Sequence, residues 1–264
     1  MTPVNAPAWL IERPIAHRGL HDEAKGVIEN TLAAAEAAIA GGFAIECDVQ
    51  SSRDGEAFVF HDDTLDRLTD ATGAISAKSA AEIVKIRIRG SSRPPSTFQE
   101  FLKVVAGRTP VICELKSRVD GDWRIGDRVV ALAASYDGPL ALKSFDHDLV
   151  AYLRLRRPRL RLGGLCPLGI VAEARYDDAI WAFLTADQKQ EWMDFESFDR
   201  IRPDFLSWHA NDLPHKTPFL MKELHGAPIM AWTVRSKEQR ETALKWADQV
   251  VFEGEGRPHP SIVP

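Results

Sequence analysis

Short apolar runs alternate with longer amphipathic segments along most of the chain. Eight of these runs have the length and apolar content of strands, and they lie at 14–17, 43–49, 111–116, 140–144, 160–165, 204–208, 229–234 and 249–253. The segments between them carry apolar residues at helical spacing, at 31–41, 97–107, 126–136, 146–158, 218–226 and 237–247. Repeated strand–helix units predict a parallel sheet, and eight such units predict a closed TIM (β/α)8 barrel.

The main alternative is an open, doubly wound sheet. That architecture usually has a glycine-rich turn after its first strand, where it binds the phosphates of a nucleotide. Here the first turn reads HRGLHDE, at 17–23, which does not fit the GxGxxG pattern, and the chain has no GxxxxGK[ST] motif. The barrel is therefore the favoured interpretation.

Two segments, about 62–96 and 166–203, are longer than a strand–helix unit requires. Neither has enough periodic apolar content to form a core of its own, so we interpret both as insertions at loop positions. The prediction is one domain over 1–264, in keeping with the usual size of such barrels.

Composition narrows the class of protein. The net charge is -5, which disfavours nucleic acid as a partner. The three cysteines are widely spaced and form no CxxC pair, which favours free, buried thiols in a reducing compartment. No secretory signal pattern opens the chain, and no run approaches about 18 apolar residues. We therefore expect a cytoplasmic protein with no stable membrane insertion.

The second and third predicted strands carry charges on one face. Side chains alternate along a strand, so Glu46 and Asp48 share a face opposite the apolar residues, and Glu114 and Lys116 do the same on the next strand. The apolar face must pack under the helices. The three carboxylates are therefore predicted to converge inside the barrel near the C-terminal ends of its strands, where active sites of this fold lie.

Two explanations fit three converging carboxylates. They form a charge cluster neutralised by Arg18, Lys116 or Lys143, or they bind a hard divalent cation, which prefers oxygen ligands. The chain has no HExxH or CxxC motif, so zinc is not favoured. If a metal binds, we expect Mg²⁺ or Ca²⁺.

Two histidines, His17 and His61, follow strand-like runs close to these carboxylates. An imidazole can donate or accept a proton near neutral pH. Together with a cation and the basic side chains Arg18 and Lys116, two imidazoles suit the cleavage of a phosphate ester.

The chain resembles the glycerophosphodiester phosphodiesterase family. The resemblance rests on IAHRG, IENT, IECDVQSSRDGEAFVFHDDTLDRLTDATG, ELK, SFDH and AWTV, which occur in the family's order from residue 15 to about 234. It implies a TIM barrel with a small insertion after the second strand. It also implies metal-dependent hydrolysis of small glycerophosphodiesters to sn-glycerol 3-phosphate and an alcohol.

Carried over position by position, the resemblance implies a role for each site residue. His17 and His61 would be the general acid–base pair; Glu46, Asp48 and Glu114 would bind the cation; Arg18 and Lys116 would contact the phosphate. Trp232 on a predicted inner strand is either barrel filling or a wall of the substrate pocket, and the resemblance favours the pocket. A lysophospholipase D-type or sugar-phosphodiester hydrolase on the same scaffold is the alternative, because Trp and Phe residues of the 166–203 segment could contact an acyl chain.

The chain departs from the family pattern at three positions. Ile28 stands where the family usually has proline, Arg235 where asparagine is common, and Glu253 near the position of a common Thr-Asp pair. These positions lie near the predicted mouth of the barrel, so they are expected to affect substrate preference more than the chemistry.

Overall fold

The computed structural model describes residues 6–160 and 164–258. Its nine strands are β1 (Ile15–Ala16), β2 (Ala44–Ser51), β3 (Ala57–Val59), β4 (Val111–Leu115), β5 (Leu140–Ser144), β6 (Leu168–Ala172), β7 (Phe205–His209), β8 (Ile229–Val234) and β9 (Gln249–Phe252). All except β3 pair in parallel, and β1 pairs with both β9 and β2. The sheet therefore closes on itself, and the predicted eight-stranded TIM barrel is confirmed.

Helices cover the outside of the barrel. They are α1 (Leu32–Ala40), α2 (Ala80–Ile83), α3 (Phe98–Val105), α4 (Arg124–Ala133), α5 (His147–Leu155), α6 (Ala186–Asp194), α7 (Phe198–Ile201), α8 (Lys216–His225) and α9 (Lys237–Ala243). Local sequence fixes where several of them begin. Thr31 caps α1, and Thr97 with Glu100 forms a capping box at α3. No helix in the described part of the chain is long and apolar enough to cross a membrane.

One predicted strand was wrong. The fifth barrel strand was expected at 160–165, but it lies at Leu168–Ala172, and residues 161–163 of the expected run lie outside the described residues. Glycine weakens a strand interior, and Gly164 has a positive φ of 80°. Leu165, the last residue of the run, instead pairs with Arg159, the residue just before the run, in an isolated antiparallel bridge. The segment between β6 and β7 is correspondingly shorter than predicted.

Each of the two long segments contributes to a small buried apolar cluster next to the barrel. The first packs Leu65, Leu68, Ile75, Ile83 and Ile88 against Phe58, Phe60 and Ile28. The second packs Tyr176, Trp181, Leu184 and Trp192 together. The regular elements of the first segment are one four-residue helix and one single-turn 3₁₀ helix. Elements this short do not produce a helical period of apolar residues in the sequence.

The alternation predicted for the second strand is confirmed. Phe43, Ile45, Cys47 and Val49 belong to the large core between the sheet and its helices. Inside the barrel a separate apolar layer, which includes Ile15, Ala44, Ile112 and Phe205, fills the end opposite the mouth. The next inward positions along β2 and β4 carry Glu46, Asp48 and Glu114. The three cysteines are free and buried, as expected.

Candidate active site

A cavity of about 400 Å³ opens at the C-terminal ends of the strands. Seven of the eight predicted site residues line it: His17, Arg18, Asp48, His61, Glu114, Lys116 and Trp232. The eighth, Glu46, is fully buried and lies within salt-bridge distance of His17. The structure therefore brings together all eight predicted site residues from segments far apart in the chain.

Three carboxylates form the floor of the cavity. Asp48 on β2 stands beside Glu114 on β4 in the parallel register, and Glu46 lies one inward position below on β2. One oxygen from each of the three lies within 4.8 Å of the other two, and all three side chains are buried. Such closely spaced charges require positive partners or a cation.

Two lysines supply part of the compensation. Lys116 Nζ lies 2.6 Å from Glu114 Oε1 and 3.1 Å from Asp48 Oδ1. Lys143 Nζ, on β5, lies 3.1 Å from Glu46 Oε1 and 3.3 Å from Glu114 Oε2. Burial works against the protonation of both lysines, but the carboxylates outweigh it and raise the pKa of each above its usual value. Both side chains are therefore charged at neutral pH.

Asp48 is also held by the amide side chain of Asn30. Asn30 Nδ2 donates to its Oδ2 at 2.9 Å, while the main-chain N–H of Asp48 donates to Asn30 Oδ1 at 3.2 Å. Burial opposes ionisation of Asp48, but Lys116, His61 and Arg18 lower its pKa well below the usual range. Sequence reasoning gave Asn30 no role of its own, although it stands in the IENT motif just before α1. The structure gives it a left-handed φ of 54°, which asparagine adopts more readily than most residues.

The carboxylate floor fits a hard divalent cation. The donor set is all oxygen, which Mg²⁺ and Ca²⁺ prefer. Glu46 Oε1 is buried and accepts no hydrogen bond of good geometry, although Lys143 Nζ lies nearby. A buried carboxylate oxygen without a donor is costly, so it is suited to a metal ligand.

The main chain at Arg18 joins the floor to the first strand. Its N–H donates to Glu46 Oε2 at 3.1 Å, and the residue has a left-handed φ of 56°, which is uncommon outside glycine. Its guanidinium donates to Glu29 Oε1 at 2.8 Å, and Nε lies 3.5 Å from Asp48 Oδ2. Strained backbone that is held by several contacts is typical of functional sites.

The two histidines reach the cavity from two different strands. His17 follows β1, and its Nδ1 is hydrogen-bonded to Glu253, while its Nε2 lies 3.8 Å from Glu46 Oε2. His61 reaches the same level because β3 turns back along β2, and the main-chain N–H of Phe60 donates to the Asp48 carbonyl at 3.0 Å. His61 Nδ1 lies 2.7 Å from Asp62 Oδ1.

The other side of the cavity is aromatic. Phe145, after β5, packs against Trp181 and Trp232 with ring centroids 4.8 and 5.5 Å apart. Ile180 and Phe183 stand at the rim with 68% and 53% of their surface exposed. Sequence reasoning placed Trp232 here but did not identify individual residues of the 166–203 segment, because their direction depends on the path of a long connection.

Glu173, directly after β6, lies behind this aromatic side. Its carboxylate accepts a hydrogen bond from Trp181 Nε1. Burial raises the pKa of Glu173 to about 7, and the nearby charges of Asp212 and Asp178 add to the shift. Glu173 is thus a second kind of buried acid, which has no lysine or arginine ion pair among the residues that the structure describes.

The three departures from the family pattern now have structural contexts. Ile28 is buried in the apolar cluster of the first long segment, so its role is packing. Arg235 and Glu253 contact each other, with Arg235 Nε donating to Glu253 Oε2 at 2.8 Å. Burial disfavours the charge on Glu253, but hydrogen bonding from His17 lowers its pKa far below the usual range.

Comparison with known proteins agrees with this geometry. The model of the glycerophosphoryl diester phosphodiesterase family matches residues 17–252. The glycerophosphodiester phosphodiesterase of Caldanaerobacter subterraneus subsp. tengcongensis is 30% identical over 244 residues, covering 88% of this chain and 89% of that protein.

Two solved structures share the fold. A phosphodiesterase from Oleispira antarctica, solved in complex with the product sn-glycerol-3-phosphate, superposes with a TM-score of 0.73 at 21% identity, covering 94% of both chains. A glycerophosphodiester phosphodiesterase from Thermotoga maritima has a TM-score of 0.65 at 23% identity, covering 90% of this chain and 92% of that one.

The closed barrel carries carboxylates and histidines at its C-terminal mouth, and the family model matches nearly its whole length. Together these findings place the protein in the class of barrel-shaped phosphoric diester hydrolases. Within that class, the chain belongs to the glycerophosphoryl diester phosphodiesterase family. The resemblance inferred from its motifs is confirmed.

Proposed function

We propose that the protein hydrolyses glycerophosphodiesters to sn-glycerol 3-phosphate and an alcohol, with a divalent cation and two histidines. Water adds across the bond between phosphorus and the alcohol oxygen, and the alcohol leaves with a proton. The observation that carries the proposal is the single cavity that collects three carboxylates, two imidazoles and two basic side chains.

Formal charges support an anionic substrate. The floor has three carboxylates, Glu46, Asp48 and Glu114, against three fixed cations, Arg18, Lys116 and Lys143, so it is neutral as it stands. Mg²⁺ or Ca²⁺ bound by the three carboxylates would bring the site to a net charge of +2 and stabilise charge on the phosphoryl oxygens.

Arg18 and Lys116 are the residues we assign to the phosphate. Both line the cavity and both are held by carboxylates, so they are ordered before substrate binds. The Nε of Arg18 is buried without a hydrogen-bond acceptor among the described residues, which leaves a donor for a phosphoryl oxygen.

The two histidines are assigned to proton transfer. Each has Nδ1 on a carboxylate, which leaves Nε2 as the nitrogen for a reacting group. Because they follow different strands, β1 and β3, and line one cavity, one imidazole can serve the attacking oxygen and the other the leaving oxygen.

The test is hydrolysis of glycerophosphocholine and glycerophosphoethanolamine by the purified protein with Mg²⁺, with Ca²⁺ and with EDTA. We expect release of the free alcohol and sn-glycerol 3-phosphate, loss of the activity in EDTA, and at least about a 100-fold loss of kcat in His17→Ala. His225→Ala, on the outside of the barrel, is the control.

Two results would contradict the assignment. Release of phosphocholine and glycerol would show cleavage of the other phosphorus–oxygen bond. Equal turnover by wild type and His17→Ala would remove His17 from the chemistry.

A second substrate class is favoured by the aromatic side of the cavity. Ile180 and Phe183 expose apolar surface next to Trp181, in continuity with the site of bond cleavage. Lysophospholipids would place a hydrocarbon chain on such a surface and gain about 0.8 kcal/mol for each buried methylene group. The comparison of kcat/KM for lysophosphatidylcholine below its critical micelle concentration with that for glycerophosphocholine decides between the two substrates.

A further inference from the structure

Glu253, the residue after β9, lies between two basic side chains at the edge of the cavity. Its Oε1 is hydrogen-bonded to His17 Nδ1, and its Oε2 accepts a hydrogen bond from Arg235 Nε at 2.8 Å. Its main-chain N–H donates to the carbonyl of Val234 at 3.0 Å, so the backbone is fixed as well. The proposed chemistry assigns Glu253 no direct contact with substrate or cation.

The two nitrogens of His17 have different surroundings. Nδ1 contacts Glu253, whereas Nε2 faces the floor of the cavity, 3.8 Å from Glu46 Oε2. The main-chain N–H of His17 donates to the carbonyl of Phe252 at 3.1 Å, so the ring leaves the strand from a fixed point. A neutral imidazole carries one proton, and an anionic acceptor at Nδ1 keeps the proton there. Nε2 is then free to accept a proton from a reacting group.

The same arrangement occurs at the other histidine. Asp62 Oδ1 lies 2.7 Å from His61 Nδ1, and Arg67 Nε donates to Asp62 Oδ2 at 2.6 Å. The two chains of histidine, carboxylate and arginine come from unrelated stretches of sequence. An arginine and a carboxylate form an ion pair without any histidine. Because the carboxylate of each pair also contacts a histidine ring, we infer that both carboxylates orient the rings.

Arg235 gives Glu253 its direction. A glutamate side chain has several rotatable bonds, and fixing them costs conformational entropy. His21 Nε2 lies 3.8 Å from the same Oε1, so the carboxylate has another basic neighbour toward which it could turn. With Oε2 held by Arg235, the rotamer that presents Oε1 to His17 is selected.

We propose that Glu253 is a positioning residue for His17, holding the imidazole in the tautomer that presents a bare Nε2 to the cavity, and that Arg235 locks Glu253 in place. The proposal rests on the proposed function, in which His17 moves a proton at Nε2.

Steady-state kinetics on glycerophosphocholine test the first part. We expect Glu253→Ala to lower kcat by about 10–100-fold with KM within about threefold, because the cavity keeps its substrate contacts while His17 loses its orientation. Glu253→Gln keeps an acceptor oxygen for Nδ1–H and should recover kcat to within about tenfold of wild type. Arg235→Ala should lower kcat by about two- to fivefold. A lower melting temperature in Glu253→Ala with unchanged kcat would make Glu253 merely structural and overturn the proposal.

Arg108→Ala is the matched control for Arg235→Ala. Arg108 forms an ion pair with Glu36 at 2.6 Å on the outside of the barrel, so its removal breaks a similar contact far from the cavity. Its kcat should equal that of wild type, and an equal loss of kcat in the two arginine variants would contradict a specific role for Arg235.

The ¹⁵N NMR signals of the His17 ring, assigned by their loss in His17→Gln, test the tautomer without any assay of activity. In wild-type protein without metal, above neutral pH, we expect a protonated Nδ1 and a bare Nε2, and in Glu253→Ala we expect the Nε2–H tautomer to appear. A protonated Nε2 in wild type would overturn the proposal. If wild type proves inactive on glycerophosphodiesters, the proposed function fails, whereas the NMR result still decides the role of Glu253.

Discussion

The two sides of the cavity are built in different ways. The charged side consists of side chains on strands of the sheet or within a residue or two of their ends. Each carboxylate has a basic or amide partner at a defined distance, such as Lys116 Nζ at 2.6 Å from Glu114 Oε1. The aromatic side comes largely from the connection between β6 and β7, and its contacts are between rings, such as Phe145 and Trp181 at 4.8 Å. The charged side is thus specified by strand register, and the aromatic side by the packing of one long connection.

This difference separates the functions that we assign to the two sides. Charges held at fixed distances suit a step that requires precise placement of a phosphate and of protons. Apolar rings at an open rim suit recognition of the variable part of a substrate, where burial of area matters more than direction. Changes on the charged side should therefore alter turnover and stability, and changes on the aromatic side should alter preference between substrates.

The largest effect is expected from Lys143→Met on the charged side. Lys143 is buried between Glu46 and Glu114, so its removal leaves two carboxylates facing each other without that cation. We expect a loss of about 3–5 kcal/mol in the free energy of unfolding, measured by urea denaturation in EDTA. Millimolar Mg²⁺ or Ca²⁺ should restore much of this loss, because a cation that binds only the folded protein stabilises it.

Lys222→Met is the control for this experiment. Lys222 pairs with Asp248 at 2.7 Å on an exposed helix, where the pair contributes about 0–1 kcal/mol and where no cation is expected to bind. If added cation leaves both wild type and Lys143→Met unchanged in stability, the carboxylate floor is an ion-pair cluster, and the interpretation of a metal site is wrong.

The contrast between the sides also explains what the sequence could predict. Glu46 and Asp48 alternate with apolar neighbours along a single strand, so the pattern is local and has a period of two. With the apolar residues packed under the helices, both carboxylates must face the inside of the barrel. His17 and His61 could be placed because each follows an apolar run directly. Most residues of the charged side could be predicted from short patterns of this kind at the ends of strands.

The aromatic side has no comparable local signal. Its strand, β6, begins later than predicted, and the rings of Trp181 and Trp192 owe their direction to packing with Tyr176 and Phe145. Contacts of this kind follow from the path of the connection and from the volume left by its neighbours, which a single sequence does not encode as a period. Glu253 was predictable only in part. The sequence identified it as a departure from the family pattern, but its contact with His17 joins residues 236 positions apart and has no local signal.

An intermediate effect is expected from Phe183→Ala on the aromatic side. If an acyl chain lies on this rim, kcat/KM for lysophosphatidylcholine should fall by about tenfold, while that for glycerophosphocholine should stay within about twofold of wild type. Phe219→Ala is a matched control, because Phe219 on α8 has 54% of its surface exposed, against 53% for Phe183. Equal changes for both substrates would show that the rim does not discriminate between them.

The smallest effect is expected from Glu173→Gln, behind the aromatic side. Burial raises the pKa of Glu173 to about 7 in the folded protein, whereas in the unfolded chain it is near 4.5. The folded state therefore keeps a proton that the unfolded state has lost, so wild-type stability falls as the pH rises from about 4.5 to 7 and changes no further above that. Glutamine stays neutral and can still accept the hydrogen bond from Trp181 Nε1, so the variant lacks this loss.

The expected signature is a difference that depends on pH. Near pH 4 the melting temperatures of wild type and Glu173→Gln should agree, and near pH 8 the variant should melt at least about 2–4 °C higher, which corresponds to about 1 kcal/mol or more. Glu100→Gln on α3 would shift stability by a similar amount at both pH values, because it acts through a helix cap. A constant difference for Glu173→Gln would mean that Glu173 ionises normally, and the two sides of the cavity would then hold their acids in the same charge state.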